Sequence, residues 1–191
     1  MKIGLFFGSF NPIHTGHLVI ADYMAEFTDL KQVWFVISPR NPLKVKQSLL
    51  QDFHRLALVR EGIKDNKKLK ASNIEFKLPQ PSYTINTLTH LSEQYPQHEF
   101  VLIMGCDNLH TFDKWKNYKQ IFEQYEIYVY PRINCTGGKF AEHPKVKMID
   151  APIMEISASF IRKAIKDKKD VRYMMPESVY NYLKEMHFYE K

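Results

Sequence analysis

A chain of 191 residues with 45% hydrophobic and 25% charged residues has the composition of a folded domain. It excludes a disordered, collagen-like or coiled-coil protein, and no apolar run approaches the ~20 residues of a membrane helix. Its 27 Lys/Arg against 21 Asp/Glu leave a net charge of +6, which suits a polyanionic partner: nucleic acid, an anionic surface or a phosphate-rich small molecule.

Apolar runs and amphipathic segments alternate along the chain, as strands alternating with helices do. Ile3 to Phe7 is a continuous apolar run stopped at Gly8, which predicts a buried parallel strand. His17 to Phe27 carries Leu18, Ile20, Ala21, Met24 and Phe27 at helical spacing. Val33 to Ile37 is a second strand, stopped by Ser38-Pro39. Asp52 to Ile63 and Ser82 to Leu91 follow as helices, with Ser82 able to cap the latter. Between them, the Lys-rich stretch from Lys64 to Lys70 reads as a solvated helix end. Phe100 to Met104, ending at Gly105, is the clearest buried strand; Ile127 to Tyr130 and Val146 to Ile149 are two more. Ser157 to Ile165 and Pro176 to Met186 close the chain as helices, with Pro176 at the first helical position.

No repeat and no linker divides this pattern. The expectation is α/β: a single Rossmann-like domain over 1–191, with a mainly parallel, doubly wound sheet and helices on both faces. A C-terminal helical portion from about residue 157 packs on it. Such sheets bind ligands beyond the carboxyl ends of their strands, here near Gly8, Ser38, Gly105 and Pro131. The apolar start reaches Gly8, Asn11 and Pro12 too soon for a secretory leader. Two cysteines, Cys106 and Cys135, are too few for a disulfide framework or a four-thiolate zinc site. The expected setting is the cytoplasm, and nothing visible activates Cys106.

Past the first strand comes Gly8-Ser9-Phe10-Asn11-Pro12-Ile13-His14-Thr15-Gly16-His17, leading into a helix. Glycine at a strand end lets backbone N–H groups approach a ligand closely. The helix N-terminus that follows offers unpaired N–H donors and a positive dipole end, a seat for phosphate. His14 and His17 add side-chain donors aimed at the same place. The blander readings are helix caps or packing under the loop, and a metal pair lacks a third ligand nearby. The density of the arrangement favours a site. Farther on, Trp115 stands among Lys114, Lys116 and Asn117, which suits a stacking platform better than core; Trp34, inside an apolar strand, reads as core.

The string Gly-x-Phe-x-Pro-x-His-x-Gly-His resembles that of the nucleotidylyltransferases, whose HxGH signature stands here as His14-Thr15-Gly16-His17. Their second signature is similar to Ile156-Ser157-Ala158-Ser159-Phe160-Ile161-Arg162, about 140 residues later. Ser38 to Lys44, Pro81 to Leu88, Gly105-Cys106-Asp107-Asn108 and Trp115 resemble the bacterial nicotinate-nucleotide adenylyltransferase branch. Two departures stand out. Ala158 replaces a common hydroxyl residue, and Pro131-Arg132-Ile133-Asn134 replaces a common Arg-Pro-Gly turn.

The resemblance implies transfer of the adenylyl group of ATP to nicotinate mononucleotide, giving nicotinate adenine dinucleotide and pyrophosphate in NAD biosynthesis. It implies His14, His17 and Arg162 as catalytic, with His17 donating to the α-phosphate and His14 beside it. For ATP it implies Gly8, Ser9, Phe10, Gly16, Lys44, Ser157, Ser159 and Ile161, with Lys44 on a proline-bracketed loop. For the mononucleotide it implies Thr84, Ile85, Gly105, Asp107, Trp115 and Lys116. In that set Asp107 accepts ribose hydroxyls, Trp115 stacks on the pyridine, and the Ile85 and Lys116 N–H groups take its carboxylate. Mg²⁺ would arrive on the ATP phosphates, without dedicated protein ligands, and neither nucleic acid nor membrane is an implied partner. Two other readings stay open: a relative using nicotinamide mononucleotide, and a basic nucleic-acid-binding module. A groove binder clusters its bases along one element, whereas the ligand-like residues here surround strand ends and helix starts.

Overall fold

The computed structural model describes residues 1–39 and 49–191. Its strands are β1 (Lys2–Gly8), β2 (Gln32–Ile37), β3 (Leu69–Ser72), β4 (Glu99–Gly105), β5 (Glu126–Tyr130) and β6 (Val146–Met148). They lie in the order β3-β2-β1-β4-β5-β6, with every neighbouring pair parallel. This is the doubly wound order that places a crevice at the switch between β1 and β4. The helices are α1 (Thr15–Phe27), α2 (Asp52–Ile63), α3 (Thr84–Gln94), α4 (Cys106–His110), α5 (Tyr118–Gln124), α6 (Ala158–Lys166) and α7 (Glu177–Glu185).

Burial on both faces explains why the central strands read as unbroken apolar runs. In β4, Val101 and Ile103 join one core, with Ile20 and Met24 of α1 and Leu58 of α2. Phe100, Leu102 and Met104 join the opposite core, with Leu88 and Leu91 of α3 and Ile121 of α5. Ile161, Val179 and Leu183 bring α6 and α7 into the first core, so the C-terminal helices belong to the same domain.

The structure corrects several expectations. The Lys64–Lys70 stretch does not end as a solvated helix terminus: it runs into β3, whose Leu69 alone is buried. An edge strand with an exposed Lys70 lacks the apolar run that marks the central strands. Ser82 does not cap α3; Tyr83 holds that position without a side-chain cap bond, and the Ser82 hydroxyl donates to Gln80 Oε1 at 3.1 Å. Pro176 is the N-cap of α7 rather than its first helical residue. Cys106 and Cys135, too few for a framework, nevertheless form a single disulfide. Because β4 and β5 are parallel neighbours, their carboxyl ends share one edge, which brings Cys106 beside the loop after β5.

Candidate active site

Beyond the carboxyl ends of β1, β4 and β5 lies an open cleft of about 560 Å³. Its three main walls are the loop from β1 into α1, the ends of β4 and β5, and the stretch entering α6, and Ser38 and Leu49 past β2 also line it. The first wall turns on His14, the N-cap of α1, whose carbonyl accepts the N–H groups of His17 at 2.9 Å and Leu18 at 3.2 Å. Both imidazoles therefore leave one helical start, and they stack with centroids 3.8 Å apart. His14 is 3% exposed, and its Nδ1 has no hydrogen-bond partner among the described residues. Burial, with the Arg132 charge adding to it, pushes its pKa down to about 4. His14 is thus neutral near pH 7, with one N–H to give. His17 is half-buried, held edge-on by the Phe10 and Phe6 rings at 5.1 and 6.1 Å.

Two glycines serve packing in this wall rather than open space. A Cβ on Gly8 would meet the Phe10 ring at 2.7 Å, and one on Gly16 would meet the His14 ring at 3.1 Å. Phe10 itself has φ 45°, a left-handed conformation uncommon for a bulky residue, while its ring packs on Phe35 at 5.2 Å.

The second wall is the start of α6. The Ser157 hydroxyl accepts the Phe160 N–H at 3.2 Å and lies 3.3 Å from that of Ser159. One turn on, Arg162 Nη1 donates to the Asn11 carbonyl at 2.8 Å, tying the two sequence motifs together. Tyr189, near the end of the chain, donates to Asn11 Oδ1 at 2.5 Å and braces the same loop. On the third wall, Arg132 donates to the Met154 carbonyl at 3.2 Å, and its Nε lies 3.6 Å from Asp107 Oδ1. Two guanidinium groups, two imidazoles and the N-termini of α1 and α6 thus converge on one cleft, which is suited to a polyanion. Among the described residues no group of three or more His, Cys, Asp or Glu is placed to hold a metal ion. No described helix is long and apolar enough to cross a membrane.

A cytidylyltransferase-like family model matches residues 5–164. A Flavobacterium psychrophilum protein named probable nicotinate-nucleotide adenylyltransferase is 54% identical, with all of each chain covered. Its Flavobacterium johnsoniae namesake is 55% identical over the same share. The chain belongs to this family. Its fold is also that of a Plasmodium falciparum nicotinic acid mononucleotide adenylyltransferase solved in complex with NaAD. That match has a TM-score of 0.82 and 19% identity, and covers 99% of this chain and 97% of the other.

Against that family's motifs, the cleft gathers His14, His17, Gly8, Ser9, Phe10, Gly16, Ser157, Ser159, Arg162 and Asp107. Ile161 is different: its side chain is fully buried in the core and its N–H bonds the Ser157 carbonyl at 3.1 Å, so it packs the floor of the site. Lys44 lies outside the described residues. The expected pyridine set sits apart from the cleft lining. Trp115 and Tyr83 pack against the second core, and Trp115 lies 5.2 Å from the Phe112 ring. Trp115 is thus more embedded than a free platform. Lys116 Nζ stands 4.2 Å over the Tyr83 ring, which brings the Trp115–Lys116 loop beside Thr84 and Ile85 at the α3 start. As the first turn of α3, Thr84 and Ile85 present N–H groups that have no carbonyl within the helix. Gly105 is the N-cap of α4, where a Cβ would collide with Asp107 Oδ1. The sequence reading missed Arg132 as a cleft cation, Asn11 as the hub of the first loop, and Tyr189 as its brace. The one available signal was Arg132 standing just past a strand end.

Proposed function

We propose that the chain transfers the adenylyl group of ATP to nicotinate mononucleotide, releasing pyrophosphate and forming nicotinate adenine dinucleotide. The observation that carries this reading is the stacked His14–His17 pair facing the Ser157–Arg162 helix start across one cleft. The acceptor phosphate is already an anion, so the reaction needs alignment and charge stabilisation rather than a general base. In this reading His17 donates to the α-phosphate oxygens as charge builds there, and neutral His14 adds one N–H beside it. Arg162, the Ser157 hydroxyl and the α6 N-terminus hold the leaving pyrophosphate. Mg²⁺ enters bound to ATP. Asp107, at the end of β4, accepts from ribose hydroxyls, and the Trp115–Lys116 loop with Thr84 and Ile85 takes the pyridine. The cations converge on a concave cleft instead of running along one element, which favours a small polyanion over nucleic acid. A cytoplasmic setting belongs to the same reading; the Cys106–Cys135 bridge runs against it, because reducing compartments keep thiols reduced.

The acid is the expected substrate over the amide. A carboxylate only accepts hydrogen bonds, so it satisfies N–H donors that an amide NH₂ would leave facing a donor. An unpaired buried donor costs roughly 1–3 kcal/mol, so two separate the substrates by a factor of about 100. The test is pyrophosphate release from Mg·ATP with each mononucleotide in turn. The expected result is pyrophosphate equimolar with dinucleotide and a strong preference for the acid. No release with either acceptor sinks the function, whereas equal rates sink only the acid preference.

A further inference from the structure

Arg55 lies outside the cleft lining, yet it is the largest fully buried side chain among the described residues. A guanidinium carries five N–H donors, and here all five have acceptors. Nε donates to the Leu50 carbonyl at 3.1 Å, and Nη1 donates to the carbonyls of Ser9 at 2.7 Å and Ser38 at 2.9 Å. Nη2 reaches the Pro39 carbonyl at 3.4 Å and Asp52 Oδ1 at 2.5 Å. None is left for a substrate, so Arg55 is not a catalytic residue. What it holds are the segments just past β1 and β2, and Ser9 and Ser38 both line the cleft. A planar trans peptide points its carbonyl and the next N–H in opposite directions. With the Ser9 carbonyl fixed on Arg55, the Phe10 N–H faces away from the guanidinium. Phe10 keeps its φ of 45°, a conformation that persists in a bulky residue only where the surroundings impose it.

We propose that Arg55 is a positioning residue for ATP. It holds the carbonyls past β1 and β2 away from the cleft and keeps the Ser9–Phe10 turn in the shape that receives the triphosphate. The proposal rests on the adenylyl-transfer reading. Removing one partner of a buried charge network destabilises a fold, so the melting temperature of each variant is measured beside its ATP affinity.

The experiment measures Mg·ATP binding by calorimetry, together with dinucleotide formation, for the unaltered chain, Arg55→Lys and Arg55→Met. Lysine keeps the charge but concentrates three donors on one atom, so it cannot serve acceptors spread over five directions. Both variants should raise the Kd for ATP at least about tenfold, the size of one lost charge-assisted hydrogen bond, and move KM for nicotinate mononucleotide less than about threefold. Leu91→Ala, in the opposite core, serves as a control for lowered melting temperature and should leave ATP affinity within about threefold. Unchanged ATP affinity in a folded Arg55→Lys overturns the proposal, as does an equal loss in Leu91→Ala. Should both Arg55 variants fail to fold, Asp52→Asn at the partly exposed partner decides. A rise of about threefold in Kd supports the proposal, and none overturns it. An unaltered chain that binds ATP but forms no dinucleotide defeats the adenylyl-transfer reading, while the comparison of ATP affinities still decides the role of Arg55.

Discussion

Replacing His14 with glutamine should flatten the acid limb of the stability curve. In the folded protein His14 titrates near 4, and in the unfolded chain at its ordinary value of 6.5. Between those values the unfolded chain binds a proton that the folded one refuses, so unfolding free energy rises with pH. Stability from this group is therefore complete above 6.5 and lost as pH falls towards 4. At 1.36 kcal/mol per pKa unit, that interval is worth about 3 kcal/mol. Burial is the larger cause and the Arg132 charge the smaller, so Arg132→Gln should restore only a minor part of the His14 pKa. Urea unfolding at pH 7, 6, 5 and 4 measures the effect as the difference between the unaltered chain and His14→Gln. That difference should fall by about 3 kcal/mol across the series. Parallel curves would refute a buried, neutral His14, and with it the picture of a single N–H offered to the triphosphate.

The remaining expectations concern the site. His17→Ala should stay folded and lose about 10²–10³ in kcat, as removal of one preorganised transition-state donor does. A near-normal rate removes His17 from the chemistry, and a matching loss of thermal stability makes it structural. Arg162→Ala should raise KM for ATP more than for the mononucleotide, because the α6 start grips the leaving pyrophosphate; a selective rise for the acceptor contradicts this. Trp115→Ala should weaken the acid and amide mononucleotides alike, since either ring can stack on it, and unchanged KM for both would leave Trp115 a packing residue beside Phe112.

What the sequence made legible follows from where the information sits. β1 and β4 are buried on both faces, so their apolar runs announce them, whereas β3 buries only Leu69 and hides among lysines. His14, His17, Ser157 and Arg162 are readable because each pair lies within one local motif at a helix start. Arg132 has no motif of its own, and its place in the cleft depends on β5 lying beside β4. Arg55 looks like an ordinary charge on a helix with a weak apolar stripe, and only the meeting of the segments past β1 and β2 makes it interior. Tyr189 reaches Asn11 across 178 positions, a contact no local pattern encodes. The Cys106–Cys135 bridge was not legible for the same reason, since pairing depends on two strand ends meeting rather than on spacing.

The most direct test follows oxygen through the reaction. Nicotinate mononucleotide carrying oxygen-18 in its phosphate is incubated with unlabelled Mg·ATP and the enzyme, and both products are weighed by mass spectrometry. Attack by that phosphate on the α-phosphorus keeps every labelled oxygen in the dinucleotide, one of them now bridging the two phosphorus atoms, and sends unlabelled pyrophosphate away. Label in the pyrophosphate, or a dinucleotide that has lost one labelled oxygen, would contradict adenylyl transfer to the mononucleotide.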